Sequence, residues 1–238
     1  MKTSGHSEIE LRPNESIDRF MDGRIRLVQS RAGYRFSIDA ILLSEFVTIK
    51  KGDVVADLGT GCGIIPLVLL LKRPVSHAIA LEVQGELADQ AVRNAALNDY
   101  SNKMSVILGD LRYPPLSASS VDVVVCNPPY RKKDSGRINP DQQRAIARHE
   151  ILVSLDDILD TSRHLLRARG RFAMIYPAER LVDLMVRMTG KGLEPKKVRI
   201  IYPNLESEAK LALVEACPGG RRGVKILPPL LDQGRYSF

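Results

Sequence analysis

The ten residues VDVVVCNPPY, Val121 to Tyr130, constrain the fold more than any other stretch of the chain. Five apolar residues (Val121, Val123, Val124, Val125, Cys126) surround one Asp, the pattern of a strand buried on both faces of a parallel sheet. Asn127-Pro128-Pro129-Tyr130 then stops that strand. Neither proline can donate to a sheet ladder, and Pro128 biases Asn127 towards an extended backbone. The stretch thus predicts an amide, two restricted carbonyls and an aromatic ring at the carboxyl end of a central strand, where open α/β sheets bind ligands. The Asn127 amide oxygen and the Pro128 carbonyl can accept from one planar NH2 group while the Tyr130 ring covers its flat face. As a bare tetrapeptide it also reads as a plain strand-ending turn, since Asn-Pro and Pro-Pro are turn formers.

Three further strand tips carry acids. Asp53 to Leu58 reads as a strand running into Asp57-Leu58-Gly59-Thr60-Gly61-Cys62-Gly63 and an apolar helix from Ile64 to about Leu71. Its glycines let the backbone approach a ligand, and the helix start offers free N–H groups. The spacing is neither the Gly-x-Gly-x-x-Gly of hydride-transfer enzymes nor a P-loop. His77 to Leu81 is a second strand ending at Glu82, whose carboxylate can take two ribose hydroxyls or favour the start of the helix Gly85 to Asn98. Met104 to Leu108 is a third, followed by Gly109-Asp110-Leu111, where Asp110 can accept from an adenine amino group. Asp57, Glu82, Asp110 and Asn127 therefore end four successive predicted strands. One polar tip arises easily by chance; four in order do not.

Elsewhere the patterns are coarser. Met1 to Pro13 reads as a flexible lead-in, and Glu15 to Met21 as a short helix with Ile17, Phe20 and Met21 on one face. Arg24 to Gln29 and Tyr34 to Phe36 read as a hairpin turning near Ala32-Gly33. Ser37 caps a helix through Val47. After Tyr130 a long loop runs to about Gln142, the kind usually functional or disordered. A helix from Ser154 to Arg169, closed by Gly170, precedes a strand (Arg171 to Tyr176) and a helix (Ala178 to Thr189). Lys196 to Tyr202 and Ala209 to Ala216 follow as an antiparallel pair, their link being too short for a helical crossover. Gly219-Gly220-Arg221-Arg222-Gly223 reads as a flexible, solvated basic end.

A chain of 238 residues fits one α/β domain with at most a small appendage. No apolar run is long enough to span a membrane, and Met1 to Glu10 shows no signal-peptide pattern. Three scattered cysteines suit a reducing cytoplasm. Neither they nor the four histidines show metal-ligand spacing, so no metal is expected. A net charge of +7 favours a polyanionic partner. Arg131, Lys132, Lys133, Arg137, Arg144 and Arg148 follow directly on the Asn-Pro-Pro-Tyr tetrapeptide.

These four ordered tips resemble motifs I to IV of the class I methyltransferases, which use S-adenosylmethionine. A narrower resemblance, from about Asp18 to Gly223, is to the bacterial tRNA1(Val) (adenine-37-N6)-methyltransferase-like family. It rests on GRIRLVQSRAGYRFSIDAILLSEF, DLGTGCGI, NPPY and GRINPDQQRAIARHE. The resemblance implies a Rossmann-like α/β fold, a seven-stranded mixed sheet with one antiparallel strand and helices on both faces. It implies an N-terminal hairpin and helix extension over residues 1–48 that closes the cofactor pocket, ahead of a methyltransferase domain over residues 49–238.

Carried onto this sequence, it sets Phe36, Ser37 and Asp39 at that pocket, and Asp57, Gly59, Thr60, Gly61, Cys62 and Gly63 around the methionine part of S-adenosylmethionine. Glu82 and Val83 would meet the ribose, and Asp110 and Leu111 the adenine. Asn127, Pro128 and Tyr130 would take the acceptor amine, Asn127 also bordering the cofactor. Pro129, Arg131, Lys132, Lys133, Arg137, Arg31 and Arg35 would hold a tRNA anticodon loop around it. The tetrapeptide also occurs in glutamine methyltransferases acting on release factors and in DNA adenine enzymes, which keeps a protein glutamine, or another RNA or DNA amino group, open as acceptor. A nucleic-acid-binding protein that has kept the fold and lost catalysis is the reading from outside the enzymes.

Overall fold

The computed structural model describes residues 10–31, 38–128 and 153–231. The chain opens with two strands, β1 (Glu15–Phe20) and β2 (Ile25–Ser30), followed by helix α1 (Ile38–Phe46). Strand β3 (Val54–Leu58), α2 (Ile64–Lys72), β4 (His77–Glu82), α3 (Gly85–Leu97), β5 (Met104–Leu108) and β6 (Val121–Cys126) come next. The second half holds α4 (Leu155–Leu165), β7 (Leu166–Pro177), α5 (Leu181–Gly190), β8 (Leu193–Tyr202) and β9 (Leu211–Pro218). Two short strands, β10 (Lys225–Ile226) and β11 (Leu230–Leu231), close the described chain.

Strands β3 to β9 form the expected sheet, in the order β8-β9-β7-β6-β3-β4-β5, with β10 and β11 added along β8. Strand β9 is antiparallel to both of its neighbours, and the other pairs are parallel. Successive strands step outwards from β3 in one direction and from β6 in the other. The crevice at their carboxyl ends is the switch point where such sheets take ligands.

Side-chain alternation gives the sheet two apolar faces. Val55, Val123, Val125, Ala173 and Ile175 pack with α1, α2 and β2, while Ala56, Leu58, Val124, Cys126, Phe172 and Met174 pack with α4 and α5. Strand β6 has no exposed apolar residue, and Asp122 is held at its start by accepting from Val54 N at 2.9 Å and Arg167 at 2.8 Å.

Three local expectations are corrected. Glu15 to Met21 is not a helix but β1, and its hairpin partner is β2, in the register Glu15↔Ser30 to Phe20↔Ile25. The turn uses Met21, Asp22 and Gly23 at φ 53°, 58° and 77°, a left-handed run that only Gly adopts freely. Tyr34 to Phe36 lies outside the described residues. The helix expected from Ser154 to Arg169 stops at Leu165, because Leu166 joins β6 opposite Val121 and a register shift there leaves Arg169 at φ 66°. The start is as expected: Ser154 caps α4, its Oγ accepting from Asp157 N while Asp157 Oδ2 accepts from Ser154 N.

The third correction concerns Gly219 to Gly223, which is not a free end. Gly219 N donates to Gly192 O at 3.0 Å, and Lys196 Nζ donates to Arg221 O at 2.6 Å and Gly223 O at 2.7 Å. The chain then continues as β10 beside Lys197 and Val198.

Two polar devices fix the amino-terminal elements. The Lys197 ammonium donates to Phe46 O at the end of α1 and lies 4.3 Å from the Phe46 ring centre, while Glu215 accepts from Thr48 N and Oγ. The second is an asparagine pair one helical turn apart, Asn94 on α3 and Asn98 capping its end. Asn94 accepts from Val28 N and donates to Val28 O, and Asn98 does the same with Arg26. Two side-chain amides thus substitute for a neighbouring strand along the outer edge of β2.

A candidate active site at the carboxyl ends of the central strands

The glycine turn is built by backbone bonds to the neighbouring strand. Gly59 N and Thr60 N both donate to Leu81 O, at 2.9 and 3.0 Å, and Gly63 N donates to Thr60 O at 3.1 Å. Gly59, Gly61 and Gly63 have φ of 73°, 60° and 87°, so a Cβ is strained at each. A Cβ on Gly59 would meet open space, whereas one on Gly63 would come 2.7 Å from Met104 Cε and 3.2 Å from Ala91 Cβ. Gly63 is therefore needed for packing as well, and Gly59 leaves its backbone open to a ligand. Cys62 is buried and its thiol is pushed up to about 12 by that burial.

Two acids face this turn from inside. Asp57 is buried, with Oδ2 accepting from Thr60 Oγ1 at 2.6 Å and Oδ1 without a hydrogen-bond partner. Burial raises its carboxyl from 3.8 to about 7; the Thr60 bond opposes the rise and the charge of Glu82 adds to it. Glu82, also buried, accepts from Gly61 N at 2.8 Å through Oε2 and from Val83 N and Gln84 N through Oε1. It joins the glycine turn to the start of α3.

Asp110 ends β5 in a different state. Arg112 donates to both of its carboxylate oxygens, at 2.5 to 3.1 Å, and holds its carboxyl below the usual range. Val83 is 45% exposed beside Glu82, and Leu111 is half-buried beyond Asp110. The β3–β6 register, Leu58↔Cys126, sets Gly59 next to Asn127 at the adjoining tips. Asn127 and Pro128 are half-buried there. Asp39 is buried in the first turn of α1, and Arg31 is exposed with its N–H donated to Asn14 O.

The sequence-predicted residues Asp57, Gly59, Thr60, Gly61, Cys62, Gly63, Glu82, Val83, Asp110, Leu111, Asn127 and Pro128 thus lie at the carboxyl ends of β3 to β6 or in the turns leaving them. Phe36, Ser37, Arg35, Pro129, Tyr130, Arg131, Lys132, Lys133 and Arg137 lie outside the described residues. Asn94 is a residue that sequence reasoning misses. Its Nδ2 also donates to Cys62 O at 2.9 Å, so one buried amide ties the hairpin to the glycine turn. The signal for it is two asparagines at i and i+4 on a helix, where an apolar face is expected.

A Gly-rich turn opening a helix, with acids ending β3, β4 and β5 and an Asn-Pro end on β6, is the order that resembles methyltransferase motifs I to IV. The sequence model of the methyltransferase small domain matches residues 37–179. This chain belongs to the methyltransferase small domain family.

Members of known name extend the likeness over most of the chain. A tRNA1(Val) (adenine(37)-N6)-methyltransferase from Parabacteroides distasonis is 29% identical over 210 residues, covering 87% of each chain. The protein of that name from Porphyromonas gingivalis is 31% identical over 209 residues, 84% of this chain and 81% of its own. Among solved structures, a predicted O-methyltransferase from Agrobacterium tumefaciens superposes with a TM-score of 0.67 at 21% identity, covering 84% of this chain and 91% of its own, which establishes the shared fold. The Rossmann-like small methyltransferase domain expected from the motifs is the fold observed. No helix among the described residues is long and apolar enough to cross a membrane, and they hold no group of three or more His, Cys, Asp or Glu suited to a metal.

Proposed function

We propose that this chain is an S-adenosylmethionine-dependent methyltransferase that modifies N6 of an adenosine in tRNA, at position 37 beside the anticodon of tRNA(Val). The observation that carries the reading is the conjunction of an Asn-Pro strand end with an adjoining glycine turn and buried acids, in a chain whose relatives over four-fifths of their length bear that activity in their names.

The site residues fit the cofactor chemically. Asp57 keeps a buried, unpartnered oxygen beside the turn, which suits a cationic or hydroxyl donor. Gly59 leaves space where a side chain would intrude, so the backbone of the turn can approach the methionine part of the cofactor. Glu82 and Asp110 would meet the ribose and the adenine, with Val83 and Leu111 as apolar surface beside the base. Arg112 already neutralises Asp110, so an adenine amino group there shares the carboxylate with a guanidinium. Residues 1–48 would close this pocket as an extension of the domain that follows.

When bound, S-adenosylmethionine supplies a methyl group on a sulfonium, open to in-line displacement. Asn127 and Pro128 would accept from the two N6 hydrogens and turn the nitrogen lone pair towards that methyl. Tyr130 would stack on the base. Catalysis then comes from proximity and orientation together with stabilisation of charge developing on the amine, and no strong general base is required. Arg31, Arg35, Arg131, Lys132, Lys133 and Arg137 would hold the flanking phosphates, since an unpaired loop base is splayed into a pocket more cheaply than a paired one. The setting for such an enzyme is the cytoplasm.

Asn127→Ala tests the acceptor role. It should abolish methyl incorporation from labelled cofactor into tRNA while calorimetry shows cofactor affinity within about twofold of the parent. An active Asn127→Ala enzyme would reduce the Asn-Pro end to a turn.

A further inference from the structure

The anchored Gly219–Gly223 turn lies at the other end of the sheet, and nothing in the catalytic reading uses it. Its backbone is specified closely. Gly219 and Gly223 have φ of 59° and 118°, and a Cβ on Gly220 would come 2.6 Å from Cys217 Sγ. Lys196 fastens two of its carbonyls. The two arginines it carries, Arg221 and Arg222, are exposed and form no ion pair among the described residues. The shape of the turn thus rests on the glycines and Lys196, and no ion pair among the described residues ties down the arginines.

Other cations converge on the same place. Arg169 precedes the part of β7 that pairs with β9, the strand that runs into the turn. Arg169 is exposed, without an acidic partner among the described residues, and held at φ 66°, a conformation that costs a non-glycine residue free energy and tends to occur at functional sites. Gly192, which accepts from Gly219 N, has Arg163 Nε 3.7 Å from its Cβ position. The neighbouring acids are mostly engaged: Asp122 by Arg167, Asp53 by Arg171 and Asp160 by Lys191. Glu194 is the remaining carboxylate next to the turn. Arg163, Arg169, Arg221 and Arg222 thus form a cationic face at this end of the sheet, with Glu194 as the nearby acid among the described residues.

We propose that this face binds phosphates of the RNA substrate at a distance from the modified base, a claim that rests on tRNA being the substrate. Arginine forks match phosphate oxygens, and two on a built turn with two more on α4 and β7 can hold a backbone without reading sequence. Strand β8 alone spans ten residues, roughly 30 Å at about 3.3 Å each, between this face and the catalytic end. Nucleotides of the loop in the pocket do not cover that span. The face therefore takes the body of a tRNA.

The test compares whole unmodified tRNA(Val) with a short stem-loop carrying the same anticodon loop, using R221A/R222A and R163A. For whole tRNA, R221A/R222A should raise KM about tenfold with kcat unchanged, and log affinity should fall less steeply with salt. For the stem-loop KM should not move. R221K/R222K should restore most of the affinity, and an unchanged melting temperature should show that the turn has survived. An equal rise for both RNAs, or none for either, overturns the proposal. If the variant keeps its tRNA kinetics but loses binding to anionic lipid vesicles, the face serves a membrane surface and the proposal also falls. Failure of the substrate reading looks different: the parent protein would then methylate neither RNA.

Discussion

Asp57 sits in an environment that disfavours its ionised form in the free protein. It is buried, one oxygen is unpartnered, and its carboxyl is raised from 3.8 to about 7. A carboxyl that holds its proton more tightly when folded adds stability that is complete below pH 3.8 and lost as pH rises through about 7. Asp57→Asn removes that loss. At pH 8 it should stabilise the ligand-free protein by about 2–4 kcal/mol, at about 1.4 kcal/mol per tenfold change in proton affinity. The same change should weaken S-adenosylmethionine binding at least tenfold. Thermal melts from pH 5 to 8 with and without cofactor check both halves; an Asp57→Asn variant less stable than the parent at pH 8 contradicts the account. Glu82 differs because three backbone N–H groups already hold it. Glu82→Ala should weaken cofactor binding by about 1–3 kcal/mol in calorimetry, since it removes a charged acceptor.

At the scale of elements, Asn94 joins three parts that the sequence presents separately: strand β2, helix α3 and the glycine turn. Asn94→Ala leaves Val28 N, Val28 O and Cys62 O without those partners in a dry setting. It should cost about 2–4 kcal/mol in denaturant melts, with faster amide exchange in β1 and β2 than in the main sheet. Glu15 offers a pH-dependent check on the same junction. Its hydrogen bonds with Arg93 on α3 lower its carboxyl from 4.5 to about 2, so hairpin protection should be complete above pH 4.5 and decline as pH falls towards 2.

Legibility follows the range of the interactions. Strands β3, β4 and β6 can be read because burial leaves nearly continuous apolar runs, and edge strand β5 because Met104 to Leu108 is mostly apolar; each has a polar residue at its tip. The pairing of β1 cannot. Ile17 and Phe20 also fit a helical face, and the asparagines that hold β2 come from a helix more than sixty residues away. The end of α4 is misplaced for a similar reason: Leu166 is claimed by a strand pair with β6, a tertiary contact that outweighs helix propensity. The Gly-Gly-Arg-Arg-Gly turn looks free in the sequence because its anchor is a lysine on another strand.

For the whole molecule, the net charge of +7 is unevenly placed. One concentration falls in the segment after Tyr130, and another on the arginine face at the amino ends of the strands. An RNA body bridging the two would explain the basic character of the protein. Replacing Arg131, Lys132 and Lys133 together should lower the salt slope by about 0.7 for each single-strand phosphate contact removed, with cofactor affinity unchanged in calorimetry. The central claim is the identity of the acceptor, and nucleoside mass spectrometry tests it most directly. Unmodified tRNA(Val) incubated with the protein and S-adenosylmethionine should yield N6-methyladenosine, lost when adenosine 37 is replaced. Methylglutamine appearing in a protein fraction, with no N6-methyladenosine in the tRNA, would contradict the account.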